Sequence, residues 1–242
     1  MTDPTPLARR ADATPFIRLA GISKAYGRGS EKIPIFSDLS LEIPRGDFVA
    51  IMGPSGSGKS TLLNILAGLD AVDAGRVLID GSDLSAMRDG ARARWRTETL
   101  GIVFQFYNLM PMLNAAENVE LPLLLRPLSK RERRARVETV LGLVGLGDRA
   151  RHYPRQMSGG QQQRVGIARA IVTDPTLILC DEPTGDLDRR AADEALDMLG
   201  RLNSEFGKTI VMVTHDPAAA RAARRVLHLD KGVFSPAGRE AA

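Results

Sequence analysis

Gly53-Pro54-Ser55-Gly56-Ser57-Gly58-Lys59-Ser60-Thr61 is the stretch of this chain whose residue types and spacing most plainly point to chemistry. A glycine, four residues and then Gly-Lys-Ser form a phosphate loop when a strand leads in and a helix leads out. The apolar run Phe48 to Met52 predicts that strand, and the run Thr61 to Leu69 predicts a helix opening at Lys59. Glycines let backbone N–H groups curl around phosphate oxygens with no Cβ in the way. The positive end of the helix dipole adds to the same site. Lys59 would reach the outer phosphates of a nucleoside triphosphate, and the Ser60 hydroxyl would hold Mg²⁺. The loop by itself says only ATP or GTP.

Two further stretches carry chemistry. Ser158-Gly159-Gly160-Gln161 opens a predicted helix running to Val172, which makes a second anion-binding N-terminus. A single nucleotide has no evident use for both sites within one subunit. Leu177 to Cys180 is an uninterrupted apolar run, as in a strand buried on both faces, and it ends in Asp181-Glu182. Carboxylates there sit at the mouth of an open α/β sheet, where ligands bind. Asp181 is placed to hold Mg²⁺, and Glu182 to orient and deprotonate a water for phosphoryl transfer.

The elements that must position these groups follow from periodicity. Ile17 to Lys24 alternates as a half-buried strand. Ile33 to Ile43 predicts a second and a possible third strand, closed by Pro44-Arg45-Gly46. Arg76 to Ile79, Gly101 to Gln105, Ile210 to Val213 and Val226 to Leu229 add strands; Asp188 to Phe206 and Pro217 to Ala223 add helices. Between Met112 and Val172 the pattern is helical, cut by Pro122 and Pro127. The expected fold class is α/β: a phosphate-loop nucleotidase core with a mostly parallel sheet, an N-terminal antiparallel part and an inserted helical subdomain at about 112–172. The core is expected over residues 16–234, with tails over 1–15 and 235–242.

Composition sets limits. The chain has 242 residues, 43% hydrophobic, and a net charge of +4, a mild excess that suits either a soluble enzyme or a protein beside an anionic surface. A single cysteine, Cys180, excludes an internal disulfide framework and a multi-cysteine metal site. No run approaches the ~20 apolar residues of a membrane helix. Met1 to Pro15 has three prolines and no apolar core, which reads as a disordered tail rather than a secretory signal. A cytoplasmic location is expected.

In combination and in order, these motifs resemble the ATP-binding subunits of ABC transporters, from about Ile17 to Phe234. The resemblance implies a head-to-tail homodimer with two MgATP at its interface, each between the Lys59 loop of one subunit and the Ser158 helix of the other. Tyr26 falls where the family stacks an aromatic ring on adenine. Gln105 falls where a glutamine contacts Mg²⁺ and the attacking water, in a loop that senses the membrane subunit. Ser158, Gly159, Gly160 and Gln161 match the signature that closes over the partner's ATP. Glu182 matches the general base, Asp188 the loop that crosses the dimer interface, and His215 the histidine that bonds the γ-phosphate and holds the base. Two departures are visible: Met157 replaces the usual leucine before the signature, and Asp186 stands where many relatives are neutral.

Ser57 to Asp70, SGKSTLLNILAGLD, and Gln105 to Pro122, QFYNLMPMLNAAENVELP, further resemble the subfamily of lipoprotein-releasing and macrolide-exporting ATPases, along with the bacterial cell-division ATPase. That implies a separate permease with a large extracytoplasmic domain, and a place on the cytoplasmic face of the bacterial inner membrane. Transport is the leading expectation. A regulatory ATPase gating a cell-wall hydrolase is the alternative, and no nucleic-acid partner is expected. Asn108 to Leu125 lies where the family docks its permease, and its apolar residues serve either docking or the core. The basic run Arg126 to Arg136 reads as a solvated helix face.

Overall fold

The protein is described here by a computed structural model covering residues 14–28 and 31–235. The tails expected over 1–15 and 235–242 lie almost wholly outside these residues. Two sheets form the body. An antiparallel sheet has the order β2-β1-β4-β5, from β1 (Ile17–Arg28), β2 (Glu31–Ile43), β4 (Ala74–Ile79) and β5 (Ser82–Asp83). The region expected to hold a second and a possible third strand is the single long β2. A six-stranded sheet has the order β10-β9-β3-β8-β7-β6. Its strands are β3 (Phe48–Met52), β6 (Leu100–Val103), β7 (Leu177–Asp181), β8 (Thr209–Val213), β9 (Arg225–Asp230) and β10 (Val233–Ser235). They pair in parallel except for β9 with β10.

Period-two alternation splits the central strands between two cores. Val49 and Ile51 of β3, Leu177 and Leu179 of β7, and Val211 and Val213 of β8 face the first. That core also takes Leu62, Ile65 and Leu66 of α1 (Lys59–Leu66) and Ile17, Leu19, Ile22 and Phe36 of the antiparallel sheet. Phe48, Ala50, Ile178, Cys180, Ile210 and Met212 face the second, against α5 (Gly159–Ile171), α6 (Arg189–Ser204) and α7 (Pro217–Ala220). Each fully buried Ile, Leu or Val contributes roughly 1.5–3 kcal/mol, so the strand that ends in Asp181 is clamped from both faces.

A third core joins α3 (Ala115–Glu120), a 3₁₀ turn at Leu121–Leu125, α4 (Lys130–Leu143) and the other side of α5. Ile167 and Ile171 of α5 pack on the sheet while Val165, Ala168 and Val172 pack on the helices, so this helix serves two cores. Met157 is buried in the third core in place of leucine, as a swap of similar volume allows. Helix α2 (Asp89–Thr99) was not foreseen, nor were β5 and β10.

Candidate functional site

A cleft of about 730 Å³ opens at the C-terminal ends of β3, β7 and β8. Its lining includes Tyr26, Gly53 to Gly56, Gly58 to Thr61, Gln105, Asp181, Glu182 and His215. Residues far apart in the chain converge because three buried strands end on the same side of one sheet. The loop between β3 and α1 depends on its glycines. A Cβ on Gly53 would lie 2.0 Å from the Leu229 carbonyl oxygen, and Gly58 has φ 100° with the Phe36 ring 2.9 Å from any Cβ. Gly58 caps α1 without a side-chain hydrogen bond, which leaves first-turn N–H groups for an anion. Lys59 lies across this loop, its Nζ donating to the Gly53 and Pro54 carbonyls at 2.7 and 2.9 Å. Ser57 turns inward, 4% exposed, so only its neighbours line the cleft.

The carboxylate end is built around Glu182. Its φ of 47° is left-handed, unusual for a residue with a side chain. The Val213 carbonyl fixes its N–H at 2.9 Å. His215 donates its backbone N–H to one carboxylate oxygen at 3.3 Å, and its Nδ1 lies 2.8 Å from the other. Glu182 is thus oriented by one flanking residue, while the His215 ring remains 71% exposed towards the cleft. Asp181 is half-buried; burial raises its pKa, the Glu182 charge raises it further, and Lys59 pulls it back. Gln105 lies two residues beyond β6, with its amide packed close to Gly185.

A nucleoside triphosphate and Mg²⁺ fit these groups. The glycine cradle and Lys59 suit phosphate oxygens. Ser60, Gln105 and Asp181 offer hydroxyl, amide and carboxylate oxygens, which suit a hard cation. Among the described residues no cluster of three or more His, Cys, Asp or Glu side chains could hold a metal by itself. One or two carboxylates are the usual protein share when phosphates complete the coordination.

Other sequence-predicted residues do not line this cleft. Ser158 caps α5: its hydroxyl accepts from the Gln161 N–H at 3.3 Å, and the Gln161 side chain accepts from the Ser158 N–H at 3.0 Å. Gly160 packs on α6, where a Cβ would lie 2.7 Å from that of Ala191. Asp188 caps α6, accepting from the Ala191 N–H at 2.9 Å. Sequence reasoning missed Tyr107. Its hydroxyl donates to the Asp186 carboxylate at 3.0 Å and stands 2.8 Å from where a Cβ of Gly159 would be. Tyr107 and Asn108 both have left-handed φ, and Arg169 donates to both carbonyls at 2.8 and 2.6 Å. The charge at Asp186, the departure seen in the sequence, thus has a hydrogen-bond donor.

The apolar segment Asn108 to Leu125 divides residue by residue. Leu123 is fully buried, whereas Met110, Met112, Leu124 and Leu125 are exposed, as is neighbouring Phe106. Buried Asn118 shapes the outward part. It accepts from the Met110 N–H at 2.7 Å and donates to the Leu113 and Asn114 carbonyls at 2.9 and 3.0 Å. Most of the basic run is exposed on α4, as a solvated face should be. Among the described residues no helix is long and apolar enough to cross a membrane.

Comparison with known proteins fits this geometry. Residues 36–185 match the ABC transporter family. The chain is 43% identical over 236 residues to the lipoprotein-releasing system ATP-binding protein LolD of Bordetella pertussis, covering 98% of this chain and 100% of that one. It is 49% identical over 218 residues to a macrolide export ATP-binding/permease protein of Paracoccus denitrificans, covering 90% of this chain but only 32% of that longer one. A solved ATP-binding cassette, a dimer in a post-hydrolysis state bound to ADP and Pi, is 43% identical with a TM-score of 0.83, covering 91% of this chain and 97% of that one. With its phosphate loop, its strand-end carboxylates and a family match over most of its length, the chain belongs to the ABC transporter family and is an ATP-hydrolysing cassette of it.

Proposed function

We propose that this cassette works as a head-to-tail homodimer with two MgATP at its interface and drives a separate membrane permease of the lipoprotein-releasing or macrolide-exporting kind. The convergence of Lys59, Ser60, Gln105, Asp181, Glu182 and His215 on one cleft, with the Ser158 helix outside it, carries this reading. The cleft alone offers phosphate donors from one side. A second subunit would bring its Ser158–Gln161 turn to the other side, with Asp188 near the crossing. The solved relative named above is a dimer.

In this mechanism Tyr26 stacks on adenine, and the 53–61 loop with Lys59 binds the phosphates. Mg²⁺ held by Ser60, Gln105 and Asp181 would neutralise charge on the outer phosphates. Glu182, fixed by His215, takes a proton from the attacking water, while His215 and the partner copy's signature turn stabilise charge on the transferred group. Closure around ATP then pulls on the permease through the exposed face of Phe106, Met110 and Met112. The cassette would sit on the cytoplasmic face of the bacterial inner membrane, and the permease would carry a large extracytoplasmic domain. The names of the relatives, one releasing lipoproteins and one exporting macrolides, support transport.

The test uses Glu182→Gln. It should bind ATP, hydrolyse it at least ~100-fold more slowly, and run as a dimer in gel filtration only with ATP. A monomer under saturating ATP would count against the shared site. Capture of that variant from solubilised native membranes should bring down a permease with few membrane helices and a large external domain. A partner with many membrane helices would replace this reading with an ordinary importer or exporter.

A further inference from the structure

Tyr26 meets the cleft on one side and a built support on the other. Lys24, on the same strand, is only 8% exposed, unusual for a lysine. The ammonium has two oxygen partners and an aromatic ring beside it. Lys24 Nζ donates to Asp70 Oδ1 at 2.6 Å and to the Ala71 carbonyl at 2.7 Å, and it lies 4.8 Å from the centroid of the Tyr26 ring. The Tyr26 hydroxyl donates to the other Asp70 oxygen. Both oxygens of one carboxylate are therefore spent on holding the ring and the cation beside it. The chain after α1 that carries Asp70 is stitched to β1. Asp73 accepts from the Ala25 N–H at 2.7 Å, and its own N–H donates to the Ser23 carbonyl at 2.8 Å.

We infer that Lys24 and Asp70 hold the Tyr26 ring in place for the adenine of ATP, with Asp70 as a positioning residue for base stacking. The inference rests on the reading of Tyr26 as the adenine platform. An unanchored tyrosine on a half-exposed strand must be ordered when the base arrives, and ordering a side chain opposes binding. Here the hydroxyl is anchored beforehand. A cation against the ring draws on its π electrons and favours the base stacking on the face left open. A salt bridge that merely closed a loop would have no reason to seat its cation on a ring that lines the nucleotide cleft.

The experiment compares two ligands on the full chain, ATP and inorganic tripolyphosphate, which has the phosphates but no base. Asp70→Ala and Tyr26→Phe should each weaken ATP binding roughly threefold to tenfold, the range of one hydrogen bond, and leave tripolyphosphate binding unchanged. The loss should appear in the KM for ATP rather than in kcat. The double variant should be no weaker than the weaker single one, and Asp70→Asn, which keeps an acceptor for the phenol, should recover part of the loss. Equal losses on both ligands, no loss on either, or additive losses would overturn the inference. Tyr26→Phe leaves the ion pair intact, so it answers even if Asp70→Ala folds poorly. Tyr26→Ala separates the two levels: if it leaves the preference for ATP over tripolyphosphate intact, the adenine platform itself is wrong.

Discussion

Two helices in this protein open on a small capping residue, Gly58 before α1 and Ser158 before α5, yet their ends differ. Helix α1 is capped by a left-handed glycine with no side-chain partner. Helix α5 is capped by Ser158 and Gln161, which satisfy each other's N–H groups in a reciprocal box. By the accounting of orphan helix donors, the first end is open to an anion as it stands. At the second the box satisfies the Ser158 and Gln161 N–H groups and leaves those of Gly159 and Gly160, so this end is only partly closed within the chain. The open end is surrounded by its own Lys59, Asp181 and Glu182. The closed end is packed instead against Tyr107 and α6. The difference suits a primary nucleotide site that works in one subunit, and a second end whose remaining Gly159 and Gly160 N–H groups lie away from that cleft.

The largest effect that could break this comparison comes from Lys59→Ala. Losing a charge-assisted phosphate contact of roughly 1.5–3 kcal/mol weakens ATP binding by about tenfold to a hundredfold. The fold should be untouched, because Lys59 bonds only to carbonyls of its own loop. Calorimetric titration with ATP checks it. Undiminished affinity would mean that the open helix end is not the nucleotide site.

How much of this was legible beforehand follows from where each signal lies. The phosphate loop and the alternation in β3, β7 and β8 are local, so the cleft's floor could be read from the sequence. The cap at Ser158 was equally local, since the box spans four residues, Ser158 to Gln161. Helix α2 was invisible because it buries only Trp95 and carries charge along the rest of Asp89–Thr99, so it shows no apolar stripe. Asn108 to Leu125 was read as apolar without a face, because only packing decides that Leu123 goes in while Leu125 stays out. Tyr107 and Asp186, like Lys24 and Asp70, are joined across long separations in sequence that no periodicity links. Glu182 was read from its place at the end of a buried strand, whereas Gln105 and His215 were placed by resemblance alone. Their meeting in one cleft is consistent with that reading, and the role of Glu182 rests on the Glu182→Gln variant.

Ser158→Ala sharpens the comparison from the closed end. Removing the cap should cost about 1 kcal/mol of stability, a fall in Tm of roughly 2–4 °C for a chain of this size. The affinity of the single subunit for ATP should not change, because Ser158 does not line the cleft. In the Glu182→Gln background, however, ATP-dependent dimerisation should weaken. Should monomer ATP affinity fall together with Tm, the two helix ends would not be separable as described.

The smallest effect lies where the closed end meets its neighbours. Tyr107→Phe removes one hydroxyl, which donates to Asp186 beside Gly159, and should cost about 0.5–1.5 kcal/mol near neutral pH. Burial, then the hydrogen bond to Asp186, then that residue's charge push the Tyr107 phenol up to about 12. An unfolded tyrosine releases its proton near pH ~10. Between those values the folded chain holds a proton that the unfolded chain has lost, so this contribution to stability is full below pH ~10 and falls as the pH rises. Tyr107→Phe has no such proton, and the stability gap between wild type and variant should narrow as urea unfolding is repeated at rising pH above that point. A gap that stayed constant would mean that the hydroxyl is not held by Asp186, and the closed end would lose its link to the loop expected to cross the dimer.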